Sequence, residues 1–182
     1  ILYNQLKNMK VIKYGVCLNR LTETDIELVR NWRNDPKISQ YMEYREYITP
    51  EMQYNWFQKI NNEHNYYFIA EYYNKKIGLI NIKDIDMVRK CGETGIFIYD
   101  DQYLNGDVSF RCALCNIDFA FENLNLNFLY GHIMSNNKRA IRYNKALGFC
   151  LAENQKGITK QLYVLEKEQY INRRENLLRL LR

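Results

Sequence analysis

The residues of this sequence that could do chemistry are few, and each also has a plainer structural use. Glu93 lies in a strand pattern, where it is either a general base, acting directly or through a water, or an exposed strand carboxylate. Trp32-Arg33-Asn34 sets a guanidinium, able to grip a phosphate or carboxylate with two parallel bonds, beside an indole that can stack on a base or sugar. The plainer use is a core tryptophan and a helix-end cation. Gly106 stands just before a helix start, where free N–H groups and the helix dipole favour an anion; it also reads as a turn glycine. The histidines are His64 and His132. His132 falls in a strand and reads as a satisfied structural residue, with proton transfer the weaker alternative. Cys112 and Cys115 form one C-x-x-C, but a second pair and well-placed histidines are missing and the spacing is helical. Two small core residues fit better than a metal site, so no metal is expected.

These residues need elements to hold them. Val16 to Leu21 reads as a strand, and Ile26, Val29 and Trp32 recur at helical spacing behind a Thr22 or Thr24 cap. Asn34-Asp35-Pro36 breaks that helix, and a short one is expected over Pro36 to Met42. Thr49-Pro50-Glu51 starts another, with Met52, Trp56, Phe57 and Ile60 on its buried face. Tyr66–Tyr73, Ile77–Ile82 and Glu93–Tyr99 then read as strands, the first two joined by a tight turn. A helix from Asp107 carries Phe110, Ala113, Leu114, Ile117, Ala120 and Phe121 as its apolar stripe. Phe128–Met134 is a strand, Asn137–Leu147 a helix closed by Gly148, Phe149–Glu153 and Thr159–Leu165 strands, and Glu166–Leu181 a helix. This order predicts a mixed α+β (α/β) domain with about seven strands, mostly antiparallel, flanked by helices, with an extra C-terminal helix.

The bulk numbers bound the rest. The 182 residues are enough for one core, at 47% hydrophobic and 26% charged. Residues 1–15 read as an N-terminal extension and 16–182 as a single domain. The net charge of +5 comes from scattered basic residues, interrupted by Glu166, Glu168 and Glu175 where they are densest, so a nucleic-acid partner is not expected. No apolar run is long enough to span a membrane, and five cysteines, an odd count, fit reduced thiols in a cytoplasmic protein.

Three segments carry a resemblance. Asn137-Lys-Arg-Ala-Ile-Arg-Tyr-Asn-Lys-Ala-Leu-Gly-Phe149 is similar to the late helix of the GNAT N-acetyltransferase superfamily, which opens with Asn, has a small residue three positions on, and closes on Leu-Gly-Phe. Glu93-Thr-Gly-Ile-Phe-Ile-Tyr99 resembles the strand that flanks the family's cofactor, and Asp107–Phe121 the helix after it. The early Asn31-Trp32-Arg33-Asn34-Asp35-Pro36, followed by Met42 and Trp56, looks like the branch of ribosomal-protein and nucleotide amino-sugar N-acetyltransferases.

The resemblance implies acetyl transfer from acetyl-CoA to an amine in a ternary complex. The pantetheine arm would lie along Phe97, Ile98 and Tyr99, with a backbone N–H near Ile98 facing the developing oxyanion. The pyrophosphate would sit at the helix start, where Leu104, Gly106, Asp107 and Ser109 occupy a turn that departs from the family's Arg/Gln-x-x-Gly-x-Gly/Ala. Asp107 brings a negative charge there, which Arg111, one turn on, can offset. Asn137 would contact the cofactor arm. Glu93 would be the base. Asn144 stands where relatives carry a tyrosine acid, with Tyr143 adjacent. Trp32, Arg33 and Asn34 would face the acceptor. The leading expectation is a small amine, a nucleotide-linked amino sugar of surface-glycan biosynthesis. The alternatives are a protein N-terminal (ribosomal-type) acetyltransferase and a non-catalytic acyl-CoA-binding or scaffold domain. A homodimer is a further expectation, and the C-terminal helix is expected to pack either on the sheet or on a second subunit.

Overall fold

The computed structural model describes residues 9–181, so the first eight residues of the proposed extension lie outside the described residues. The sheet begins within that extension: β1 (Lys10–Lys13) pairs antiparallel with β2 (Val16–Arg20) across a turn at Tyr14-Gly15, both at positive φ. β1 is an edge strand with Ile12 facing solvent, so its sequence lacks the apolar run that marks a buried strand. It brings the described strands to eight, one more than expected.

A 3₁₀ turn, in which the N–H and hydroxyl of Thr22 both donate to Asp25, leads into α1 (Ile26–Asn34). Asp35 caps the short α2 (Pro36–Ser39), and Thr49 caps α3 (Pro50–Ile60) by accepting the Met52 N–H. The buried face of α3 is centred on Gln53 and Phe57, whereas Met52 is exposed. Periodicity placed Met52 inside because its neighbour Gln53, which is in fact buried, is polar. β3 (Tyr66–Tyr72), β4 (Lys75–Asp86) and β5 (Cys91–Ile98) form a meander. Tyr73 and Asn74, both left-handed, make the two-residue hairpin between the first two.

A short α4 (Asp101–Leu104) follows, then α5 (Asp107–Asp118), which continues through a π-helical turn over Phe119–Asn123. β6 (Phe128–Met134), α6 (Lys138–Leu147), β7 (Cys150–Leu151), β8 (Lys160–Glu166) and α7 (Lys167–Leu180) complete the order. Asn137 caps α6 by accepting the Ala140 N–H, and Gly148 closes it at φ 108°.

The strand order is β1-β2-β3-β4-β5-β6-β8-β7, antiparallel except for β5 and β6. α1 and α3 cover one face, packing Val29, Trp32 and Phe57 on Tyr67, Ile69 and Leu79. α5, α6 and α7 cover the other, where Leu114, Ile117 and Leu147 meet Leu18, Phe68 and Ile80. Cys112 and Cys115 lie in this second core; burial pushes both thiols up to about 12, so they are inert packing groups. The C-terminal helix packs on its own domain through Tyr170. There the buried Asp118 accepts hydrogen bonds from Tyr14, Tyr170 and Arg174 and pairs with Lys13.

Candidate active site

The parallel ladder between β5 and β6 has three rungs, Cys91–Phe128, Gly92–Leu129 and Glu93–Tyr130, and then stops, although both strands continue. Beyond it the strands part. The Tyr99 N–H donates to the Ile77 carbonyl and the Phe97 carbonyl abuts Gly78, so the odd-numbered residues of β5 turn their backbone groups to β4. By the two-residue period of a strand, Thr94, Ile96 and Ile98 turn theirs to the gap, as the Thr94 carbonyl beside Gly131 confirms. A cavity of about 770 Å³ occupies this gap and passes between the two faces of the sheet.

On the α5 side the cavity is lined by Leu104, Ser109, Asn137, Tyr143 and Asn144, together with Phe97 and Ile98 of β5. The Tyr143 hydroxyl donates to the Ser109 carbonyl at 2.7 Å, and burial raises its pKa. Its proton is committed to the backbone. Asn144 donates to the Ala140 carbonyl of its own helix at 2.9 Å. Neither residue offers an acidic proton to a leaving group. Asn116, fully buried on α5, donates to the Thr94 hydroxyl and the Asn81 carbonyl, tying the helix to β5 beside the gap.

Five of the residues singled out from the sequence stand outside the cavity lining. Trp32 is a core residue, stacked on Tyr99 with centroids 5.4 Å apart. Asn34 clamps the Ile48 backbone through both its amide atoms, at 2.8 and 2.9 Å. The Tyr99 hydroxyl donates to Asp35. Gly106 caps α5 at a negative φ, and a Cβ there would meet nothing within 4 Å, so the turn does not demand glycine. Asp107 is paired with Arg111 at 2.8 Å, and Arg111 also donates to the Tyr14 and Leu181 carbonyls. The carboxylate is thereby held to the body of the domain.

The α1–α3 side is charged and aromatic. Arg33, Tyr41, Tyr44, Trp56 and Tyr67 wall it, with Glu43 and Lys160 at 2.5 Å from each other. Arg33 makes neither a hydrogen bond nor an ion pair among the described residues; its Nε is buried without a partner, and burial lowers its pKa. Arg139 stacks over Tyr41 at 5.2 Å. Glu93 sits where the rungs end. Its two carboxylate oxygens are both engaged, by Lys83 at 2.8 Å and by His132 Nδ1 at 2.9 Å. Burial works to raise the Glu93 pKa, but the hydrogen bonds from Lys83 and His132 outweigh it and hold the group below the usual carboxylate range.

His132, read from the sequence as structural, thus lines the cavity in contact with Glu93. The signal was its alternation with Tyr130 and Met134 along β6, which puts the three on one face. Lys83, Arg139 and Lys160 carried no such signal. His64 lies away from the cavity, with Nδ1 3.1 Å from the Ile85 carbonyl. Among the described residues no cluster of side chains fits a metal ion, and no helix is long and apolar enough to cross a membrane.

A profile described as an acetyltransferase (GNAT) domain matches residues 16–150. Acetyltransferase PseH of Campylobacter jejuni (strain 81-176) is 27% identical over 137 residues, 75% of this chain and 83% of that protein. Spermidine N(1)-acetyltransferase of Escherichia coli (strain K12) is 26% identical over 139 residues, 75% of this chain and 73% of that protein. Among solved structures, apo FdhC, described as a nucleotide-linked sugar GNAT, superposes with a TM-score of 0.79 at 18% identity, over 96% of this chain and 99% of that one.

Proposed function

Because this chain belongs to the GNAT acetyltransferase family, an N-acetyltransferase family that uses acetyl-CoA, we propose that its own acceptor is a primary amine bearing an anionic group, foremost a nucleotide-linked amino sugar. The observation that carries this reading is Arg33. A half-buried guanidinium with no acid beside it among the described residues favours a ligand that brings the negative charge, such as a diphosphate. The same wall argues against a polyamine. A polycation is held by free carboxylates, and the two that line this cavity, Glu43 and Glu93, are already paired with Lys160 and with Lys83 and His132. Tyr41, Tyr44 and Trp56 supply surfaces for a sugar or base.

The α5 side fits the other substrate. Ile96 and Ile98, beyond the last rung, offer an unpaired strand edge to an extended chain bearing amides, as the pantetheine arm does. In this reading the Ile98 N–H on that edge faces a carbonyl oxygen gaining charge. When bound, acetyl-CoA supplies its acetyl group as a thioester. Tyr143 and Asn144 hold their hydrogen bonds within the protein, so the sulfur leaves as a thiolate, which an ordinary thiol pKa near 8.5 permits.

The test is CoA release from acetyl-CoA with UDP- and dTDP-linked amino sugars, spermidine, and a peptide with a ribosomal-protein N-terminus. Turnover of a nucleotide-linked sugar at a kcat/KM well above that of spermidine is expected. Efficient turnover of spermidine or the peptide, with none of the sugars, would overturn the reading.

A further inference from the structure

The pair formed by Glu93 and His132 assigns a proton path. We propose that His132 takes the proton from the acceptor nitrogen and that Glu93 is a positioning residue that orients its imidazole. This rests on the acetyl-transfer reading but not on which amine is the acceptor.

Three observations support it. First, Glu93 has no free oxygen: Oε1 accepts from His132 and Oε2 from Lys83, its direct cross-strand neighbour. A carboxylate that is doubly bonded, and stabilised in its charged form, is a poor proton acceptor. Second, the contact of Glu93 with Nδ1 fixes the tautomer. Nδ1 carries the hydrogen that points at the carboxylate, and Nε2, which makes no hydrogen bond among the described residues, keeps its lone pair. Third, the pair stands where the β5–β6 rungs end, with both residues lining the cavity that joins the acceptor wall to the strand edge of Ile96 and Ile98. A base is needed at that junction.

The charged groups around the imidazole fit the role. Glu93 faces it from β5, with Lys83 behind on β4. Glu43 and Lys160 pair with each other at the mouth, from the α2–α3 loop and β8, and Arg139 lines the cavity from α6. The Tyr130 ring lies edge-on at 6.0 Å. An imidazolium formed at His132 would meet the fixed negative charge of Glu93, whereas Glu93 alone could accept a proton only by giving up an ion pair.

In the step itself, the C–N bond forms between the acceptor nitrogen and the acetyl carbonyl carbon while the C–S bond breaks and sulfur takes the electron pair. The proton lost by nitrogen passes to Nε2, and from the imidazolium to the thiolate or to water.

The experiment compares H132Q, E93Q and H132G with the parent enzyme, using whichever amine of the panel above turns over. General-base catalysis is worth about 10²–10⁴-fold. H132Q should therefore lose on the order of 100-fold in kcat with little change in acceptor KM, and the acidic limb of its kcat/KM profile should vanish. E93Q should lose on the order of 10-fold and keep that limb. Added imidazole should rescue H132G but not E93Q. Loss of activity in E93Q alone, with H132Q within about threefold of the parent, would return the base to Glu93. An arm that needs no acceptor is the ¹⁵N spectrum of the His132 ring: Nδ1–H with a bare Nε2 is expected at pH 8, and Nε2–H would overturn the proposal. Substrate and base can thus fail separately, since turnover of spermidine alone sinks the sugar reading and leaves the histidine test standing.

Discussion

At the scale of single residues, the wall facing the acceptor is set by which charges are already spent. Glu43, Glu93, Lys83 and Lys160 neutralise one another, which leaves over Arg33, buried at its Nε without a partner, and Arg139, which rests on the Tyr41 ring. Arg33→Ala should accordingly raise the KM of an anionic acceptor on the order of 10–100-fold, the worth of a charge-assisted hydrogen bond, with little change in the thermal shift produced by CoA. Equal KM values in steady-state kinetics of the variant and parent would show that Arg33 only packs. The contact between His132 and Glu93 was not legible, because it joins residues 39 positions apart across a parallel pair whose register no local pattern reveals. Arg33 was legible as a candidate, and its neighbours Trp32 and Asn34 were legible only by association. Trp32 turns into the core, and the Asn34 amide serves the backbone of Ile48.

At the scale of elements, the cleft depends on β5 keeping one edge paired and the other free. Gly78 guards the paired edge: a Cβ there would fall 2.3 Å from the Phe97 carbonyl and 2.9 Å from the Ile98 Cα, both backbone atoms that cannot swing aside. Gly78→Ala should displace β5 and weaken acetyl-CoA binding about tenfold or more, at a cost of about 1–3 kcal/mol in stability. Isothermal titration would measure the first and urea unfolding the second, and unchanged affinity would show that the strand edge does not carry the cofactor. The elements around it were legible where local chemistry fixes them. β6 was read with its observed bounds, and α6 was framed by an Asn cap and a left-handed Gly. The short α4 and the edge strand β1 escaped, the one too brief to show a period and the other too exposed to show alternation. Asp107, out of pattern for a phosphate turn, was read with its offsetting partner Arg111, and the two are paired.

At the scale of the whole molecule, Asp118 joins the two ends of the described chain. It pairs with Lys13 and accepts from Tyr14 beside β1, and accepts from Tyr170 and Arg174 on α7, while almost fully buried. Burial acts to raise its pKa, but these four partners prevail and hold it below the usual carboxylate value. A depressed folded-state pKa adds stability that is present above about pH 4, the unfolded value, and is lost as pH falls through the folded one. Asp118→Asn should cost on the order of 3 kcal/mol at pH 7, since it leaves buried cations without their counter-charge. The difference between variant and parent in urea midpoint should shrink towards pH 2. A difference that does not vary with pH would assign the loss to packing alone.

The three rungs between β5 and β6 have a consequence for how the protein would answer deuterium. Five of the described strands, β1 to β5, lie on one side of that seam and three, β6 to β8, on the other, and backbone bonding between the two parts of the sheet is confined to the rungs at Cys91, Gly92 and Glu93 and the Lys90 carbonyl beside them. The amides of Ile96 and Ile98 have no strand to pair with across the gap, so they should exchange early in the free protein and become protected when a ligand lies along them. A substrate that does so acts as a temporary strand, mending the sheet along the line where it divides.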